Sequence, residues 1–97
     1  MVHELKPWPM VHKLKTWPQY FMPIWQGLKT FEIRYNDRNY QVGDSLILKE
    51  WNVDTGYSGR EVHKRVTYIL GHSGWLKEGY VVMALVDAKG GDSADTP

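Results

Sequence analysis

Ninety-seven residues, 42% apolar and 24% charged with a net charge of +1, fit one small globular domain and exclude a chain disordered throughout or held on nucleic acid by bulk charge alone. With no cysteine there is no disulfide, thiolate nucleophile or Cys-zinc site. No apolar run nears the ~18 residues of a membrane span, and an N-terminus with three prolines in 18 residues has no signal-peptide pattern.

Met1–Pro9 and Met10–Pro18 are near copies, matching at seven of nine positions. Two copies of nine residues are too few for a solenoid, so residues 1–10 read as an appended duplicate of a strand start. Lys13–Trp17 then reads as a short edge strand with Leu14 facing the core. Pro18 suits a first helical position. Phe21, Ile24, Trp25 and Leu28 recur at helical spacing, and Gly27 supplies a stop. Pro23 removes a hydrogen bond and predicts a short or kinked helix.

Phe31–Tyr35 alternates, with Phe31, Ile33 and Tyr35 on one face and Glu32 and Arg34 on the other. Residues 36–39 form a turn, and Val42-Gly43-Asp44 a tighter one, braced by Asp44. Ser45–Trp51 and Arg60–Leu70 form a hairpin with 52–59 as its loop. On its second arm Val62, Lys64, Val66, Tyr68 and Leu70 share a face opposite Glu61, His63, Arg65 and Thr67. After a loop over 71–79, residues 80–86 are apolar on both faces, as a strand buried on both sides must be. Five strands and an early helix predict an α+β, mainly β domain: a small antiparallel barrel with a short N-terminal helix packed on it, its closure removing exposed edges. Residues 1–86 carry eleven Lys/Arg against eight Asp/Glu, net +3. Residues 87–97 are acidic, lack large apolar side chains and read as a disordered tail.

The chemistry-bearing stretch is Gly27-Leu-Lys29-Thr30-Phe-Glu32-Ile-Arg34. Lys29 lies in the connection from helix to strand, and Glu32 and Arg34 share a face beyond it. Two cations and an anion in one turn-plus-strand suit a phosphate fork, a point charge and an acceptor for a base amino group. The same residues also suit an ordinary surface ion pair with Lys29 at a helix end. Trp17 and Tyr20, at the helix start, are candidates for stacking on a base or for core packing. Arg60, Lys64 and Arg65 either add a basic rim or lie on an exposed strand. His3, His12, His63 and His72 have no metal-ligand spacing, and no metal or cofactor is expected.

Gly27, Lys29, Glu32 and Arg34 spell GxKxxExR, the signature of ASCH domains in the PUA-like barrel superfamily. With Leu14–Pro18, Val42–Asp44, Leu46–Glu50, Thr55–Glu61, Val66–Ile69 and Gly79–Met83, the chain resembles the bacterial and phage family catalogued as DUF3850, over about residues 11–86. The resemblance implies an ASCH/PUA-like barrel whose cleft, between helix and barrel, holds RNA or a modified nucleotide or nucleoside. Lys29, Thr30, Glu32, Arg34, Trp17 and Tyr20 are its candidate binding residues. One ASCH branch is an amidohydrolase acting on N4-acetylcytidine through a Lys, a Thr nucleophile and a Glu. Lys29 matches its lysine, but Glu32 stands at the nucleophile's position. The expected function is therefore binding, in a cytoplasmic monomer with no membrane partner. The alternatives are a small amidohydrolase using Lys29 and Glu32 on an acylated nucleoside, and a phage or mobile-element accessory protein that binds a host protein.

Overall fold

The computed structural model describes residues 8–88. The first seven residues of the duplicated segment and positions 89–97 of the acidic tail lie outside it. The elements in chain order are β1 (Val11–Thr16), α1 (Pro18–Trp25), β2 (Phe31–Tyr35), β3 (Ser45–Asn52), β4 (Gly56–Leu70) and β5 (Tyr80–Asp87). The strands form one sheet in the order β1-β3-β4-β5-β2. It curls into a half-barrel around Leu14, Tyr40, Leu46, Leu48, Val66, Val81, Met83 and Leu85, with Ile24 of α1 packed into the same core. Among the described residues no helix is long and apolar enough to cross a membrane.

Three pairings are antiparallel, but β1 runs parallel to β3, Val11 opposite Ser45 through Thr16 opposite Glu50. Closure differs from the sequence expectation. β1 and β2 are the two ends of the sheet, and no backbone ladder joins them among the described residues. Guanidinium groups span the seam instead. Arg34 Nη2 donates to Lys15 O at 3.0 Å, and Arg38 Nη1 donates to Lys13 O at 3.2 Å. Each satisfies an edge carbonyl that would otherwise invite another strand.

β1 buries His12 and Thr16 beside Leu14, not Leu14 alone. His12 Nε2 donates to Asp44 Oδ2 at 2.8 Å, and Asp44 also accepts from the amides of Met10 and Gln41. Burial alone would raise the Asp44 carboxyl; these hydrogen bonds outweigh it and hold the group below its ordinary value. The brace thus joins the start of β1 to the turn before β3. Tyr40 packs edge-on against His12, and burial pushes its hydroxyl up.

The hairpin loop is tighter than expected: β4 begins at Gly56, leaving residues 53–55 as the turn. The pairing of β4 with β5 shifts between Val66 and Tyr68. An extra residue there reverses the faces. Val66 is buried and Ile69 packs on the core, while Tyr68 and Leu70, expected to share Val66's face, are exposed. Tyr68, Leu70, Phe31, Ile33 and Tyr35 give the outward side of β4, β5 and β2 an apolar character, and Phe31 and Ile33 also border the cleft beside α1. β5 runs to Asp87, one residue past the expected end.

Candidate functional site

The helix end aims the signature residues. Pro18 occupies its N-terminus, and Phe21 and Ile24 are its buried face. Gln26 caps its C-terminus, and Gly27 follows at φ 80°, the left-handed conformation that favours glycine. Leu28 N–H bonds to Pro23 O at 2.8 Å and Gly27 N–H to Ile24 O at 3.0 Å, the two bonds of a Schellman stop. Lys29 N–H also reaches Pro23 O. Leu28, read from spacing as a helical core position, is instead in the stop itself and 78% exposed. The chain then reverses, and Lys29 faces the start of β2.

Lys29 Nζ donates to Glu32 Oε1 at 2.9 Å, and Arg34 Nε donates to Glu32 Oε2 at 2.7 Å. Glu32 is only 3% exposed. The strand thus turns its charged face inward and its apolar face out, the reverse of the usual rule. Arg34 Nη2 also donates to Thr16 Oγ1 at 3.1 Å, and Thr16 donates to Leu14 O. The Lys29 ammonium lies 5.1 Å from the centre of the Phe31 ring, within cation–π reach.

These groups line a cleft of about 720 Å³ between α1, the end of β1 and β2. Trp17 and Tyr20 form its other wall, with rings 6.3 Å apart and 20° from parallel. They are 54% and 51% exposed, so neither is a core residue. Five of the six expected site residues, Trp17, Tyr20, Lys29, Glu32 and Arg34, therefore meet in one concavity. Thr30 does not line it; it is exposed, and its carbonyl accepts from Leu85 N–H. Lys15, Thr16, Phe31 and Ile33 also line the cleft and are not among the residues expected there. Thr16 had a signal, since it follows Leu14 by two on the same strand face.

Glu50, Arg60 and Lys64, on β3 and β4, brace the fold. Glu50 accepts from Arg60 Nε at 2.9 Å and Ser58 Oγ at 2.7 Å. These two donors hold its carboxyl below the ordinary value. Arg60 also lies over the Phe21 and Trp25 rings and reaches Met22 Sδ, so it pins α1 to the hairpin. Lys64 pairs with Asp87. Neither cation is a free rim.

Residues 11–85 match the family described as a domain of unknown function, DUF3850. The chain belongs to this family. The DUF3850 chain is also similar to an uncharacterized 12.9 kDa protein in the GpA 3′ region of Escherichia phage P2. The two are 43% identical over 65 residues, which is 67% of this chain and 58% of the phage protein. The cleft lies wholly within the DUF3850 region.

Proposed function

We propose that this DUF3850 domain is an ASCH/PUA-like module that binds RNA or a modified nucleotide in the cleft beside α1. The observation that carries the reading is the Lys29–Glu32–Arg34 triad joined on the concave side of β2, facing two near-parallel, half-exposed rings. A nucleotide presents three matching parts. Its base stacks on Trp17 or Tyr20, its polar edge meets Glu32 and Arg34, and its phosphate meets Lys29. The triad is net positive by one charge, which suits an anion. The GxKxxExR spacing of Gly27, Lys29, Glu32 and Arg34 supports the superfamily assignment.

The contacts favour binding over hydrolysis. Both Glu32 oxygens are engaged by cations, and the Thr16 hydroxyl donates to Leu14 O and accepts from Arg34, so its partners are a carbonyl and a cation and neither is a base. An acyl-transfer nucleophile needs such a base.

Titration with nucleoside monophosphates and short RNAs at low salt tests this, read by amide and indole shifts. Shifts should centre on Trp17, Tyr20, Lys29 and Glu32. Arg34→Ala should weaken binding by about 1.5–3 kcal/mol, the range for hydrogen bonds to charged groups. Absence of binding to every nucleotide and RNA overturns the reading. Turnover of an acylated nucleoside, lost in Lys29→Ala, replaces it with a hydrolase.

A further inference from the structure

On the other side of the Arg34 bridge lies a second concavity of about 490 Å³, lined by Lys13, Lys15, Arg34, Arg38, Lys49 and Tyr57. Its ionisable lining carries only positive charge. Among the described residues no carboxylate lies within ion-pair distance of Lys13, Lys15, Arg38 or Lys49. Glu61, opposite Lys49 on β4, is the nearby acid, and its carboxylate is bonded by His63 at 2.7 Å. Hydrogen bonding from His63 and the fields of Lys49 and Lys13 lower the Glu61 carboxyl.

The lysines are placed at a cost. Lys15 and Lys49 sit directly opposite each other on β1 and β3, and like charges in that position destabilise a sheet. Lys13 is two residues back on the same face. Each lysine of the opposed pair rests on a ring, Lys15 over Trp51 at 4.5 Å and Lys49 over Tyr57 at 5.0 Å. The rings fix the side chains without neutralising them. Cations held close together, two of them braced by aromatics, with no carboxylate within ion-pair distance of Lys13, Lys15, Arg38 or Lys49 among the described residues, suit a polyanion with regularly spaced charges.

Lys15 and Arg34 line both the groove and the cleft. We propose that the groove is a track for the phosphate backbone of a single-stranded nucleic acid whose terminal or flipped nucleotide occupies the cleft. The register of that strand rests on the cleft reading; the groove's affinity for phosphates does not.

The test compares UMP, U2, U4 and U8 with dT8 across salt, on the full chain and on Lys13→Gln/Lys49→Gln. Neither substituted residue lines the cleft. Affinity should climb with length from UMP to U8. If four groove cations meet phosphates, the log–log salt slope for U8 should be about −2.8, falling to about −1.4 in the double variant. At 50 mM salt that variant should bind U8 on the order of tens of times more weakly, with UMP binding kept. Thermal unfolding in parallel shows that it folds. Equal loss for U8 and dT8 assigns the track to phosphates; loss for U8 alone assigns it to ribose as well. A U8 affinity no better than that of UMP, or one unchanged in the double variant, overturns the track while leaving the cleft reading intact. U8 binding that depends on Lys13 and Lys49 without any UMP binding removes the cleft reading and leaves the track.

Discussion

Glu32 holds two cations on the concave side of β2 while Phe31, Ile33 and Tyr35 face outward. The alternation along this strand is plain in the sequence, and so is the pairing of Glu32 with Lys29 and Arg34. Which face points inward is not, because burial normally favours the apolar side. Here the opposite face is stabilised by mutual neutralisation and by donors from Arg34 to β1. Glu32→Ala should therefore destabilise the fold as well as empty the site. Two cations would face each other across a gap, although both remain partly in water. The expected loss is about 1–3 kcal/mol, below that of a fully buried pair. Arg34→Lys keeps the charge but loses the fork that reaches Glu32, Lys15 O and Thr16 together. It should weaken nucleotide binding nearly as much as Arg34→Ala. Urea unfolding and nucleotide titration on the same samples separate the two effects. A Glu32→Ala protein as stable as the parent would show that the triad is a surface ornament of the fold.

At the level of elements, start and stop signals carried most of the helix: Pro18 opens α1 and Gly27 closes it. Leu28 fitted the helical period but fell in the stop, because periodicity does not register a left-handed residue one position earlier. Thr67 gave no warning of the shift in β4, since a bulge changes which face follows without changing the residue types. Gly27→Ala tests the stop. A side chain at φ 80° should cost about 1–2 kcal/mol and lower Tm by about 5–15 °C for a domain this size. The Lys29–Glu32 contact should loosen with it, visible as a change in the Glu32 amide shift. Arg60 tests how the helix is fixed. Arg60→Met keeps an apolar stem over Phe21 and Trp25 but leaves Glu50 with Ser58 as its remaining side-chain donor. Stability should fall by about 1–3 kcal/mol, discounted because Arg60 is itself partly exposed. Restoration by Glu50→Gln in the same background would assign the loss to an unpaired carboxylate, and continued loss would assign it to helix packing.

For the whole molecule, the strand count and the mainly β character were readable from alternating segments and turns, but the closure was not. It depends on Arg34 and Arg38 reaching the carbonyls of Lys15 and Lys13, contacts more than 18 residues apart that no local pattern encodes. Carboxylate braces between elements set the acid limit of the fold. Asp44 ties β1 to the turn before β3, and Glu50 ties the hairpin to α1 through Arg60. Both carboxyls lie below their ordinary values of 3.8 and 4.5 in the folded protein. A depressed folded value means that the unfolded chain takes up protons first as pH falls. The contribution is fully present above the ordinary value and is lost as pH drops through the folded one. Stability should therefore hold near neutrality, start to fall as pH approaches 4.5, where Glu50 in the unfolded chain is half protonated, and fall further as Asp44 follows around 3.8. Glu50→Gln should lower stability at pH 7 and flatten the first part of the decline, leaving the part below pH 3.8 that belongs to Asp44. Urea midpoints from pH 7 to pH 3 measure this. A Glu50→Gln curve parallel to the parent's across that range would place the acid sensitivity in other carboxylates and reduce the Arg60–Glu50 contact to a packing role.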